Sequence, residues 1–357
     1  MAKVWNRTRV SEILGIEYPI IQGALGGLSS QRLTAGVSNF GALGSFGAHG
    51  LEPSAIGEII AEIRSLTARP FAINLWVSME DEGARTSGEA AFNSAASRLA
   101  PYIAAVGGAP PVYAPYKPLR FEDQARVLLD ARVPVFSFIY GIPPAEILDE
   151  AKRQGIITIG TATTVDEAKA IEDAGVDIVV ASGFEAGGHR GSFLKSSEDS
   201  LTGTISLVPQ TVDAVHIPVV AAGGIADARG IRAAFALGAE GVQMGTAFLP
   251  LEESGAHPLH RHAILSGQAR NTGLTRGFTG RLARGIKNQL LTELNKPGPD
   301  LLPYPLQRTL MRSLALPAQK AGRADLLSLW AGQSASLART SHLQNFLASL
   351  VEEMSAP

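Results

Sequence analysis

The chain has 357 residues, 45% of them apolar, a formal net charge of −2 and no cysteine. That length and apolar content suit one large core of about 250 residues plus insertions, and the near-neutral balance excludes a strongly basic nucleic-acid or anionic-membrane surface. Disulfides, thiolate metal sites and a cysteine nucleophile are excluded. No apolar run spans a bilayer and MAKVWNRTRV holds no apolar signal core, so the expectation is a soluble, cytoplasmic protein.

Short β-rich runs punctuate the chain at 19–23 (PIIQG), 42–47 (ALGSFG), 70–76 (PFAINLW), 134–141 (PVFSFIYG), 156–162 (IITIGTA), 177–182 (DIVVAS), 218–224 (PVVAAGG) and 241–249 (GVQMGTAFL). Each is nearly continuous in apolar residues, as a strand covered on both faces must be. Pro or Gly opens or closes most of them. Helical patterns lie between. One follows Pro144 and stops at Gly155; Thr164 caps another, with Asp166 and Glu167 in its first turn and Gly175 at its end; Asp227 opens a third that stops at Gly238. This alternation predicts right-handed βαβ units and a parallel sheet. Eight runs in that order predict an α/β fold closed into a (β/α)8 TIM barrel over 1–266. The alternative, an open doubly wound sheet, lacks its G-x-G-x-x-G after the first strand.

An insertion at 77–118 reads as a helix over 88–102 followed by a proline-restricted extended segment. A second long loop, 184–207, follows the sixth strand. Both leave the carboxyl ends of their strands, the face where barrel enzymes place active sites. Beyond 266 the strand rhythm stops. Residues 267–357 read as a C-terminal helical extension over or beside the barrel mouth, with a proline-rich break at 297–305 and a helical tail over 324–354.

The loop SGFEAGGHRG (182–191) carries the strongest chemical signal. Glycine admits close backbone approach, and loops at strand ends carry chemistry more often than packing. His189 in it can shuttle a proton or bond an anion, or it is a surface histidine in a mobile loop; Glu185 orients it or ties the loop down. Gly223 and Gly224 before the Asp227 helix, and Gly245 with Thr246, stand where phosphate-binding barrels present backbone N–H groups, although tight turns use the same glycines. Asn74 is an amide inside an apolar run and needs partners, from a flavin edge or from a structural network. Gln22 and Gln243 share that ambiguity. His49 faces the mouth in undistinguished surroundings. His257, His260 and His262 do not share one helical face and no carboxylate completes a set, so no metal is expected.

With these residues in view, the chain resembles the flavin-dependent nitronate monooxygenases, formerly called 2-nitropropane dioxygenases. The likeness rests on YPIIQG (18–23), AGVSNFGALG (35–44), residues 71–76, 183–191 and 218–225, QMGT (243–246), and, past the barrel, LTRGFTGRLARGIKN (274–288) and LLSLWAGQ (326–333). It spans nearly the whole chain. The resemblance implies FMN as cofactor, with Gln22, Ala24, Leu25, Asn74, Ser182, Gly187, Gly188, Gly223, Gly224, Gln243, Met244, Gly245 and Thr246 at flavin-contact positions. Ala24 and Leu25 stand where the family often has Pro-Met or Gly-Met, a change a backbone contact survives. Ser182 stands where the family often has Gln, and its shorter side chain leaves room for a bridging water.

The chemistry the resemblance implies is oxidation of alkyl nitronates, or nitroalkanes, by O2 to carbonyl compounds and nitrite. His189 would bond the nitro oxygens or act as base, and Leu25, Phe138, Tyr140 and Tyr304 would wall the substrate. The partners are then a small nitronate and O2, with no nucleic acid and no membrane. An FMN-dependent enoyl-acyl-carrier-protein reductase on the same barrel is the nearest alternative and would need NAD(P)H. A non-catalytic flavin- or phosphate-binding protein is the second. IMP-dehydrogenase-like chemistry needs a thiol that this chain lacks.

Overall fold

The strands of the computed structural model, which describes residues 5–356, are β1 (Ile20–Gln22), β2 (Gly44–Gly47), β3 (Phe71–Trp76), β4 (Val135–Ile139), β5 (Ile157–Ala162), β6 (Ile178–Ser182), the two-residue β7 (Gly188–His189), β8 (Val219–Ala222), β9 (Gly241–Met244), β10 (Thr272–Thr275) and β11 (Ala283–Ile286). Eight of them run parallel in the order β1-β9-β8-β6-β5-β4-β3-β2. A bridge from Ile21 to Leu43 joins the two ends, with the Gln22 N–H donating to the Leu43 carbonyl at 2.9 Å. The result is a closed (β/α)8 barrel.

Helices alternate with these staves: α1 (Arg9–Leu14), α2 (Gln31–Phe40), α3 (Pro53–Leu66), α4 (Glu89–Ala105), α5 (Phe121–Asp130), α6 (Ala145–Arg153), α7 (Val165–Asp173), α8 (Thr204–Ala214), α9 (Ala228–Ala236), α10 (Pro258–Leu265), α11 (Gln289–Leu294), α12 (Leu306–Lys320) and α13 (Leu343–Ser355). Their ends follow local chemistry. The Thr164 hydroxyl accepts from the Glu167 N–H at the start of α7, and Asp227 accepts from the N–H groups of Arg229 and Gly230 at the start of α9. Such caps contribute about 0.5–2 kcal/mol each. Among the described residues no helix is long and apolar enough to cross a membrane.

Strand parity decides where each side chain goes, because neighbours on a strand face opposite ways. Ile21, Leu43, Ala72, Val135, Ile159, Ile178, Val180, Val220 and Ala222 fill the barrel interior. Val10 and Leu14 of α1 join that cluster and plug the N-terminal end. The opposite parity (Phe71, Ile73, Leu75, Phe136, Phe138, Val179, Val242 and Met244) packs against the helices. Each fully buried aliphatic side chain contributes about 1.5–3 kcal/mol over exposure. Along β3 the inward series continues from Ala72 to Asn74 and Trp76, and along β4 from Val135 to Ser137 and Ile139, rising to the mouth.

Past the eighth stave the structure differs from the helical reading of 267–357. Strands β10 and β11 form an antiparallel hairpin, and β11 pairs with β7, placing Ala283 opposite His189 and Arg284 opposite Gly188. The tail 324–354 is not one helix: short turns at Ala324–Leu326 and Ala335–Leu337 precede α13. α13 packs on α9 and α2, with Phe346 edge-on to Phe248 at 5.2 Å, so it occupies the place of the eighth barrel helix. The chain between β9 and α13 covers the mouth.

Candidate active site

Three charged side chains lock the loop that leaves β6. Glu167, fully buried, accepts from the Thr163 N–H and hydroxyl, both at 2.6 Å, and from the N–H groups of Phe193 (2.6 Å) and Leu194 (3.1 Å). Arg190 donates to the carbonyls of Ser182 (2.5 Å), Ser200 (2.9 Å) and Thr163 (3.1 Å). Glu185 accepts from the Thr204 N–H at 2.9 Å and its hydroxyl at 2.8 Å; it ties the loop down and its partner is not His189. Hydrogen bonds to ionised groups contribute about 1.5–3 kcal/mol each. With Gly188 and His189 also paired to β11, the histidine sits on a fixed ribbon, not in a mobile loop.

Above the carboxyl ends of the staves lies a cavity of about 420 Å³, within the range of small-molecule sites. His189 forms part of its wall, with Nε2 2.9 Å from the Thr279 hydroxyl and the ring 4.9 Å from Trp76 and 5.4 Å from Trp330. The ring keeps contact with the cavity while protein surrounds it. Burial first, then the positive charges of Arg308 and Arg281, push its pKa down to about 3, so the imidazole is neutral.

Several residues to which the sequence reading gave little or no role stand on this wall or just behind it. His49 stacks on Trp76 at 3.8 Å and 8°, its Nδ1 sealed without a partner. Burial, then Arg308, His189 and Arg281, hold it well below the usual histidine range. A side chain at Gly26 would lie 2.0 Å from that ring, which accounts for the glycine. Arg281 lies between the rings of Tyr140 (4.3 Å) and Tyr304 (4.4 Å) and pairs with Asp81 at 2.8 Å. Ser137, Thr161, Phe278, Thr279 and Arg308 line the cavity with His49. His49 was visible as a histidine facing the mouth; Thr279 carried no local signal beyond the FTGR run.

Of the residues singled out from sequence, Ala24, Leu25, Asn74, Ser182, Gly187, Gly188, Gly223, Gly224, Gln243, Gly245 and Thr246 line the cavity together with His189. Asn74 also belongs to a network, donating to the Ser137 hydroxyl at 3.0 Å. Gln22, Met244 and Phe138 do not line it. All three have the parity that faces the helices: Met244 and Phe138 sit in the outer core, and Gln22 donates to the Gly23 carbonyl and accepts from the Ser45 N–H at 3.0 Å. Tyr140 and Tyr304 stand behind the wall, clustered on Trp76, with the Tyr304 hydroxyl 3.4 Å from Arg308. His260 bonds the Trp330 carbonyl at 2.9 Å. Among the described residues no group of three or more His, Asp or Glu is arranged to hold a metal.

The cavity fits a phosphorylated flat ring. At one end Gly223 and Gly224 adopt φ 102° and 73°, conformations that a side chain strains. The N–H groups of Gly224, Gly245 and Thr246 donate to no carbonyl among the described residues, and aligned free N–H groups at strand and helix ends are anion sites. The Thr246 hydroxyl accepts from the Gly332 N–H at 2.9 Å, which leaves its own proton to donate. Gly187 must be bare, because a Cβ there would lie 2.5 Å from the backbone of Ala331 and Gly332. Along the middle, Asn74, Gln243 and the open backbone at Ala24 offer hydrogen-bonding groups. The Leu25 N–H is taken by the Ser29 hydroxyl at 3.1 Å.

The family description that matches residues 7–353 is nitronate monooxygenase. The chain belongs to the nitronate monooxygenase family. A probable nitronate monooxygenase of Staphylococcus aureus (strain Newman) is 41% identical over 352 residues, covering 98% of each chain. A solved nitroalkane oxidase from Streptomyces ansochromogenes is similar with a TM-score of 0.84 and 37% identity over 97% of each chain. FabK from Thermotoga maritima follows with a TM-score of 0.74 and 30% identity, over 98% of this chain and 96% of that one. As a nitronate monooxygenase family member, the chain is a flavin-dependent enzyme.

Proposed function

We propose that the chain binds FMN in this cavity and oxidises alkyl nitronates or nitroalkanes with O2 to carbonyl compounds and nitrite. The observation that carries the reading is a neutral, immobilised His189 facing the same cavity as the glycine cradle. Gly223, Gly224, Gly245 and Thr246 would hold the phosphate, and Asn74, Ser182 and Gln243 the ring. When bound, FMN supplies the electron acceptor that O2 reoxidises.

The chain's own groups do the rest. Trp76, Trp330 and Phe278 exclude water and present flat apolar faces to a small nitro compound. Arg308, on the cavity wall, favours a nitronate over its neutral acid by charge. His189 holds or accepts a proton at the reacting carbon or its nitro group, the role its neutral state allows.

The similarity to FabK supports a second reading, an NAD(P)H-dependent reductase on the same barrel. Anaerobic mixing separates the two. FMN-loaded protein should bleach with a nitronate and stay oxidised with NADPH. Rapid bleaching by NADPH and none by nitronates would establish the reductase reading instead.

A further inference from the structure

We infer that Thr279 is a positioning residue that fixes the tautomer of His189, leaving the bare Nδ1 lone pair directed at the cavity. The inference rests on the nitro-compound reading above and specifies which substrate form the site is built to activate.

The protons around Thr279 fix the arrangement. The Thr279 hydroxyl has one proton and meets three groups: His189 Nε2 at 2.9 Å, the Arg281 carbonyl at 3.2 Å and the Arg281 N–H at 3.3 Å. The Arg281 N–H can only donate to it. Two arrangements remain. If the hydroxyl donates to Nε2, the Arg281 carbonyl, on a residue 5% exposed, has no donor among the described residues. A buried acceptor left without a donor costs about 1–3 kcal/mol. If the hydroxyl donates to that carbonyl, Nε2–H donates to Thr279 and every group is satisfied. The second arrangement therefore dominates, and it makes Nε2 the protonated nitrogen.

Nδ1 makes no bond to a described residue and is not sealed off, while the ring lines the cavity. A bare nitrogen there has no proton to offer the oxygens of a nitronate and suits a group with a proton to lose. The α carbon of a neutral nitroalkane is such a group. Its C–H bond breaks, the proton passes to Nδ1, and the bonding pair moves onto the nitro group to give the nitronate. The imidazolium so formed keeps its Nε2–H on Thr279.

Thr279 itself is held rigidly. It lies in the turn between β10 and β11. Gly280, at φ 90°, lies so close to the 302–304 backbone that a Cβ would come 2.6 Å from the Leu302 carbonyl oxygen. Arg281 anchors the other side through Asp81 and through the Ser78 carbonyl at 3.0 Å. The hydroxyl is thus presented at a fixed point opposite β7.

The test uses FMN-loaded holoenzyme labelled with 15N-histidine, with His189→Asn to assign the resonance. Ring-nitrogen shifts should show His189 protonated at Nε2 and bare at Nδ1. In Thr279→Val that preference should be lost, and turnover of a neutral nitroalkane should fall at least about tenfold, a part of what a general base contributes. Oxidation of the preformed nitronate should fall less than about threefold, since no proton is removed there. Thr279→Ser should restore both the tautomer and the nitroalkane rate. A His189 protonated at Nδ1 in the wild type, or a Thr279→Val variant with unchanged tautomer and unchanged nitroalkane rate, would overturn the inference. Failure of the wild type to release nitrite from any nitro compound would instead overturn the functional reading, leaving the tautomer result to stand alone.

Discussion

His189 and its neighbours concentrate the chemistry into side chains whose protonation is set by packing. Neutral at ordinary pH, the imidazole can accept a proton without first losing one. Replacing it with asparagine preserves a polar group of similar size and the β7 pairing. His189→Asn should therefore keep its fold and its flavin while turnover of a neutral nitroalkane falls by about 10²–10⁴-fold, the usual contribution of a positioned acid–base group. Steady-state nitrite release, with the flavin spectrum as control, checks this. At this scale much of the site was legible. Once β3, β4 and β9 are placed, parity alone brings Asn74 and Gln243 to the mouth and turns Phe138 and Met244 away, so the latter two needed only that rule applied. The His189–Thr279 contact joins residues 90 positions apart, and nothing local in either segment announces it. His49 was seen but undervalued, since its stacking on Trp76 depends on two adjacent staves.

Between elements, the cover over the barrel mouth is held by a few polar ties. Arg281 links the β10–β11 turn to the loop after β3 through Asp81 and Ser78 and lies on two tyrosine rings. Arg281→Met should cost about 2–3 kcal/mol, less than a fully buried pair because Asp81 retains 34% exposure. Urea unfolding should show it as a lower midpoint. Gly187→Ala would push a methyl into the backbone at Ala331 and Gly332; overpacking of this kind costs about 1–3 kcal/mol. Its FMN affinity should fall as the 329–334 segment is displaced, read by flavin fluorescence titration. The eight staves were evident from uninterrupted apolar runs and glycine stops. The short strands β7, β10 and β11 were not, because a two-residue strand has no periodicity and β11 (ARGI) carries an arginine that pairing, not composition, brings indoors.

The whole molecule carries a pH signature. His189, His260 and His49 are all held below the ordinary histidine value, in each case chiefly by burial. In the unfolded chain each titrates near its usual pKa, so between that value and the folded ones the unfolded state binds more protons. Stability is then fully present above about pH 6.5 and is lost as pH falls toward the folded values, about 4 for His260 and about 3 for His189. Each such histidine contributes a slope of up to about 1.4 kcal/mol per pH unit in that window. Denaturant titrations at stepped pH should show the decline, and His260→Gln should lessen it. The most direct measurement is nitrite and O2 followed together in FMN-loaded protein given a nitroalkane or its nitronate, with no nicotinamide present. Nitrite should appear as O2 is consumed; oxygen uptake and nitrite both absent, in protein shown to hold its flavin, would rule out nitro-compound oxidation.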